Sequence, residues 1–234
     1  DPGNKVWNLK NTPRVIAGLN SERAKVAKEL YETFCENVQV VDSPEIAEMA
    51  KLFENTFRQV NIALVNEFAQ IANAIGISTS EAIGAAATKP FGFMKFNPSL
   101  GVGGHCIPVD PSYLSFAAEN VGIEASFIDL ANEINLEMPS YVANRIANEV
   151  GGLKGKKVLV AGLSYKANVS DLRESPSQLL IDALEVLGAE VIKYDPLVAG
   201  TSEIVNVDVA ILAVAHDVID KEALIVGLAI DRNE

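Results

Sequence analysis

Lys157-Val158-Leu159-Val160-Ala161-Gly162 carries four apolar residues in a row between a lysine and a glycine. A strand that is apolar on both faces is buried on both, as in a parallel sheet covered by helices. Reading onward, residues 175–188 show an amphipathic helical pattern, with Ser175 as cap and Pro176 in the first turn. Glu190–Tyr194 reads as a second strand, Val207–Val214 as a third, and Leu228–Asp231 as a short fourth. Strand and helix alternate, so 153–234 is expected to be a partial Rossmann-like domain with a parallel, doubly wound sheet.

Reading back, Gly151-Gly152 ends a helix over 124–149 and marks a boundary. The segment 43–152 is helical, interrupted by a loop-rich stretch at 88–112. Its first helix is long. Ser43 caps it, Pro44 and Glu45 suit its first turn, and Gly76 ends it. Ile46, Ala50, Phe53, Phe57, Val60, Leu64, Phe68, Ile71 and Ile75 recur at steps of three or four, which is one helix face. Such a helix is roughly 50 Å long at the usual rise per residue. Its extensive apolar face predicts pairing with a second copy, a homodimer. Further upstream, 14–19, 21–36 and 38–41 form a β-α-β pattern. Two strands bury little by themselves. The remnant over 1–42 is therefore expected to belong to a larger sheet, and the chain, which opens on Asp1, is read as a fragment. The fold class is α/β throughout.

The 234 residues are 49% hydrophobic and 21% charged, ordinary for globular domains with a sizeable core. The net charge of −12 argues against nucleic acid and anionic membrane as partners, since both reward Lys and Arg. No apolar run reaches the ~18–20 residues of a membrane span. The only cysteines, Cys35 and Cys106, lie far apart, so a disulfide framework is not expected and a reducing cytoplasm fits.

Lys51, Asn55, Arg58 and Ile62 form a second stripe on the long helix, about 160–200° from the apolar one at ~100° per residue. It reads either as a solvated outer face or as a polar row lining a cleft. In the second case a Lys beside an amide stabilises a developing alkoxide, and Arg58 holds a phosphate, a carboxylate or an amide carbonyl.

The loop from Phe91 to Cys106 is the least ordinary segment. Gly101, Gly103 and Gly104 allow backbone paths and close approaches closed to other residues. Phe91, Phe93 and Phe96 either stack on a base or pack. Cys106 follows, with Asp110 four residues on. A thiol is a nucleophile as its thiolate, favoured by nearby positive charge, and a carboxylate orders water or accepts a proton. Read alone, however, a single Cys also fits a small buried hydrophobe, the class to which Cys35 is assigned. Two His and two Cys without ligand spacing make no metal site. Gly162-Leu163-Ser164-Tyr165-Lys166 follows the first strand of the last domain, where ligands of such sheets bind. Lys166 and Arg173 read either as phosphate contacts or as surface charges. No Gly-x-Gly-x-x-Gly occurs anywhere in the chain.

Three segments together resemble the UDP-glucose/GDP-mannose dehydrogenase family. They are Lys51-Leu52-Phe53-Glu54-Asn55-Thr56-Phe57-Arg58 through Asn66-Glu67, Gly101 to Pro111 with Gly-Gly-His-Cys at its centre, and Gly162-Leu163-Ser164-Tyr165-Lys166 to Asp171-Leu172-Arg173-Glu174-Ser175-Pro176. The resemblance implies that 1–42 is the end of an N-terminal NAD-binding Rossmann domain. It implies that 43–152 is a central, dimerisation domain and that 153–234 binds the UDP-sugar. The implied reaction is a four-electron oxidation of a sugar C6 alcohol to the carboxylate with NAD, through a thiohemiacetal and a thioester on Cys106. Lys51 and Asn55 are implied to stabilise the charged oxygen and Asp110 to order water. Phe93, Gly101, Gly103 and Lys166 are implied to hold the nucleotide part of the donor, and Arg173 and Arg232 to reach the NAD.

The run Glu54-Asn55-Thr56-Phe57-Arg58 looks more like the branch that oxidises UDP-N-acetyl-mannosamine or -glucosamine than the UDP-glucose branch, with Arg58 meeting the N-acetyl carbonyl. The alternatives are a UDP-glucose 6-dehydrogenase, or a non-catalytic nucleotide-sugar-binding and dimerisation module. As a fragment the chain is expected to show no NAD-dependent turnover. One departure stands out: Pro98-Ser99-Leu100-Gly101 replaces the family's usual Pro-Gly-Pro-Gly, which leaves the loop path open.

Overall fold

A computed structural model describes residues 4–203, 206–222 and 224. The chain divides into two compact units, Asp1–Phe57 and Arg58–Glu234. In the first, β1 (Arg14–Ile16) and β2 (Val38–Val40) pair in parallel, Arg14 beside Val38 and Ile16 beside Val40, and α1 (Ser21–Glu32) connects them. The strand expected to reach residue 19 stops at Ile16. Gly18 sits hard against the Arg23–Ala24 backbone, so the chain turns there into the helix. Asn20 caps α1 by accepting the Arg23 N–H. No residue of α1 is buried, and Val26 and Leu30 face outward. Cys35 is buried as expected, its thiol donating to the Leu9 carbonyl at 3.2 Å.

The boundary between the units falls within α2 (Pro44–Ala74). The second unit continues with α3 (Thr79–Ala86), α4 (Asp110–Glu119), α5 (Ser126–Glu149), β3 (Lys157–Ala161), α6 (Pro176–Val186), β4 (Glu190–Tyr194) and β5 (Val209–Leu212). The three strands form a parallel sheet in the order β4-β3-β5. Successive side chains of a strand point to opposite faces. Val158 and Val160 accordingly pack with Ala143 of α5 and Leu180, Ile181 and Leu184 of α6. Leu159 and Ala161 pack on the other side with Val207, Ile219 and Leu224. Each Val, Leu or Ile among them contributes about 1.5–3 kcal/mol when fully buried. The expected strand at Leu228–Asp231 lies outside the described residues.

The apolar stripe of the long helix is exposed, with Phe53 at 66%, Leu64 at 59% and Ile71 at 53% of full exposure. Within the second unit, the buried face of α2 is instead Gln59, Ala63, Asn66, Ala69 and Ala72. Small residues let a neighbouring helix come close, and the amides bond to it. Gln59 donates to Asn132 at 3.2 Å, Asn66 to Asn135 at 3.0 Å, and Asn135 to the Gln59 carbonyl at 3.1 Å. The hydrophobic period located the apolar face but gave no sign that Gln59 and Asn66 line the buried one, where the amides find partners on α5.

Candidate active site

The glycine loop is built onto α2 and α5. The N–H of Ser99 donates to Asn66 Oδ1 at 2.8 Å, and the Ser99 hydroxyl donates to the Gly101 carbonyl at 2.8 Å. Leu100 packs on the core of the second unit. The two residues that depart from the family pattern thus act as anchors. Gly101 has φ +122° and backs onto the Asn135 carbonyl, where an added Cβ would lie only 2.5 Å from the oxygen. That carbonyl is open to approach because its usual helical partner, four residues on, is Pro139, which has no N–H. Gly103 is held against Glu174, Pro176 and Tyr165, and Gly104 against the Tyr165 ring. The glycines are therefore needed for protein-to-protein approach, a reason the sequence alone did not separate from approach to a ligand.

Cys106 emerges from this loop exposed, unlike Cys35. Its carbonyl accepts the Asp110 N–H at 2.8 Å, and α4 begins at Asp110, two residues earlier than the pattern suggested. Asp110 thus lies in the first turn, where the helix dipole favours a negative charge. The Gly104 N–H donates to the Arg173 carbonyl at 3.1 Å, which ties the loop to the segment after β3. The Arg173 guanidinium grips Asp171, Nη2 to Oδ2 at 2.6 Å and Nε to Oδ1 at 3.0 Å. Those bonds hold the Asp171 carboxyl down to about 2. The Arg173 pKa is raised, first by the hydrogen bond to Asp171, then by its charge, with smaller contributions from the charges of Tyr165 and Cys106.

Sequence reasoning missed a buried cluster at the carboxyl ends of the strands. Asp195 follows β4 and His216 follows β5. His216 Nε2 lies 3.0 Å from Asp195 Oδ2 and 3.1 Å from Ser164 Oγ, while Nδ1 accepts the Asn168 N–H at 2.8 Å. Accepting at Nδ1 places the ring proton of neutral His216 on Nε2. Ser164 donates its own proton to the Lys166 carbonyl at 3.2 Å. The imidazole nitrogen facing Ser164 is thus a donor, and the trio is no nucleophilic triad despite its composition. Burial pushes the Asp195 pKa up, but the N–H groups of Leu163 and Leu197 and the His216 ring outweigh it, and the net shift is downward. Position was the available signal: polar residues directly after strands of such a sheet sit where ligands bind.

The remaining candidates are distributed as follows. Lys51 is exposed and Asn55 fully buried, both on the part of α2 in the first unit. Arg58 is half-buried and Phe93 exposed in the second unit, and Lys166 is half-buried in the turn after β3. Arg232 lies outside the described residues. Asn55 at 0% exposure shows that its stripe is not a solvated face at that position. Among the described residues, no three His, Cys, Asp or Glu side chains cluster as metal ligands, and no helix is long and apolar enough to cross a membrane.

The UDP-glucose/GDP-mannose dehydrogenase family matches this chain twice, its central domain over residues 45–137 and its UDP-binding domain over 159–229. A curated UDP-N-acetyl-D-mannosamine dehydrogenase of Methanococcus vannielii is 44% identical over 197 residues, covering 83% of this chain and 45% of that protein. The solved UDP-D-ManNAc dehydrogenase of Pyrococcus horikoshii superposes with a TM-score of 0.79 at 34% identity, over 92% of this chain and 54% of that one. The UDP-N-acetyl-mannosamine dehydrogenase Cap5O of Staphylococcus aureus gives 0.76 at 34% identity, over 89% and 50%. The chain spans about half the length of the relatives it matches. With both domain matches in chain order, and the glycine loop, Cys106 and the turn after β3 inside them, the chain belongs to the UDP-glucose/GDP-mannose dehydrogenase family.

Proposed function

We propose that this chain supplies the nucleophile and the UDP-sugar site of an NAD-dependent UDP-N-acetylhexosamine 6-dehydrogenase, with UDP-N-acetylmannosamine as the first substrate to test. The observation that carries the reading is the exposed Cys106 thiol at the end of a closely packed glycine loop, which the Gly104 N–H ties to the Arg173 carbonyl at 3.1 Å. The residues described fit one edge of the dinucleotide. Arg173 is an exposed cation whose aim is fixed by Asp171, suited to an anionic cofactor, whereas no Gly-x-Gly-x-x-Gly lies in the chain. Bound NAD+ supplies the hydride acceptor for each two-electron oxidation.

The Cys106 thiolate adds to the carbonyl carbon of the C6 aldehyde, and the carbonyl oxygen takes a proton to give a thiohemiacetal. Oxidation of that carbon leaves a thioester. Water adds to it, the carbon–sulfur bond breaks, the thiolate is released and a carboxylate departs. Asp110 accepts the proton of the attacking water or orders it. Lys51 and Asn55 stabilise the oxygen that bears charge, a role that rests on the match of Lys51–Arg58 to the family. Arg58 contacts the N-acetyl carbonyl, and Phe93, Gly101, Gly103 and Lys166 serve the nucleotide part. Residues 43–152 form the dimerisation domain, the exposed apolar stripe of α2 being the homodimer face, and the protein works in the cytoplasm. Turnover of UDP-N-acetylmannosamine, UDP-N-acetylglucosamine and UDP-glucose, with the chain joined to an NAD-binding domain of the family, tests the substrate. An N-acetylated donor should be preferred, and preference for UDP-glucose refutes the assignment. The chain by itself should produce no NADH.

A further inference from the structure

Among the buried polar side chains that the chemistry above does not use are Ser164, Asp195 and His216. They converge on one short turn, residues 163–168. The N–H groups of Leu163 and Ser164 donate to Asp195 Oδ2 at 2.7 and 3.3 Å. The Lys166 carbonyl accepts from Ser164, and the Asn168 N–H donates to His216 Nδ1. Asn168 returns a second bond, its Oδ1 accepting the Asp217 N–H at 2.9 Å. Asn168 is held at φ +63°, in the left-handed region that Asn tolerates better than most residues. The turn also carries Tyr165, whose ring backs Gly104 and whose N–H donates to the Asp171 carbonyl at 3.0 Å.

We propose that His216, in its Nε2–H form, is a positioning residue for the nucleotide part of the UDP-sugar: its Nδ1 fixes the Asn168 end of the turn and thereby sets where Lys166 meets the ligand. The inference rests on the reading of Lys166 as a nucleotide contact. It assigns the two ring nitrogens different work. Nε2–H donates to the buried Asp195 carboxylate, which serves stability. Nδ1 shapes the turn, which serves binding.

Two substitutions separate these roles. In His216→Asn the amide oxygen takes the place of Nδ1 and still accepts from Asn168, while Asp195 loses its partner. In His216→Gln the amide nitrogen takes the place of Nε2 and still donates to Asp195, while the Asn168 N–H loses its acceptor. UDP affinity is measured by calorimetry on the 234-residue chain, below the melting temperature of each variant. His216→Asn should bind UDP within about twofold of the parent chain, and His216→Gln about tenfold more weakly, the size expected for one lost hydrogen bond. Lys166→Ala should weaken the parent and add little to His216→Gln, because the two act on one contact. A His216→Gln chain that binds UDP like the parent overturns the inference while leaving the Lys166 reading intact. So does a loss of affinity that simply follows the loss of melting temperature in both variants. If Lys166→Ala leaves UDP binding unchanged, the reading of Lys166 fails and the inference falls with it.

Discussion

Asn66 Oδ1 accepts the Ser99 N–H at 2.8 Å while its Nδ2 donates to Asn135 Oδ1 at 3.0 Å, so one buried amide on α2 holds both the neighbouring helix and the start of the glycine loop. Asn66→Ala leaves a donor and an acceptor without partners. It should cost about 1–3 kcal/mol for each buried group left unsatisfied, read by urea unfolding of the second unit. The loop should also loosen, seen as faster hydrogen exchange at Ser99 and Gly101. Unchanged exchange there would show that the loop holds its path without Asn66.

Gly101→Ala and Gly76→Ala make a matched pair. Both glycines have positive φ, +122° and +75°, but nothing lies within 4 Å of a Cβ added at Gly76, whereas at Gly101 it meets the Asn135 carbonyl at 2.5 Å. Gly76→Ala should therefore cost only the conformational term, about 1–2 kcal/mol. Gly101→Ala should cost clearly more, because the loop must also move away from α5. Equal losses in thermal unfolding would mean that the close approach is not what requires glycine.

The Asp171–Arg173 pair makes a pH prediction. The folded-state pKa of Asp171 is lowered to about 2 from 3.8. A depressed carboxylate stabilises the folded state above its unfolded pKa, and the contribution disappears as pH falls through the folded value. The pair is thus intact at neutral pH and opens only in strong acid. A carboxyl titration by NMR should place Asp171 near 2, and Arg173→Ala should return it toward 3.8. A titration near 3.8 in the parent chain contradicts the pairing.

Much of the fold was legible because local signals agreed. Val158 to Ala161 pack on both faces of β3, as an unbroken apolar run requires. Ser175 caps α6, accepting from the Ser177 N–H at 3.3 Å, and Pro176 occupies its first turn. The inner face of α2 was not legible, since Gln59 and Asn66 look solvated until α5 supplies their partners. Cys106 was singled out by its glycine-rich setting. His216 and Asp195 were not, because a buried histidine is recognised by the carboxylate that faces it, and 21 residues separate the two in sequence. The use of Gly103 and Gly104 against Tyr165 was likewise invisible, since it depends on a residue 62 and 61 positions away whose approach only the tertiary fold creates.

The central claim is that Cys106 carries the sugar through a thioester. It is tested most directly by Cys106→Ser, with the chain joined to an NAD-binding domain of the family and supplied with UDP-N-acetylmannosamine and NAD+. The account predicts that UDP binding is retained and that uronate, measured by mass spectrometry, is no longer formed. Uronate output equal to that of the parent enzyme would contradict it.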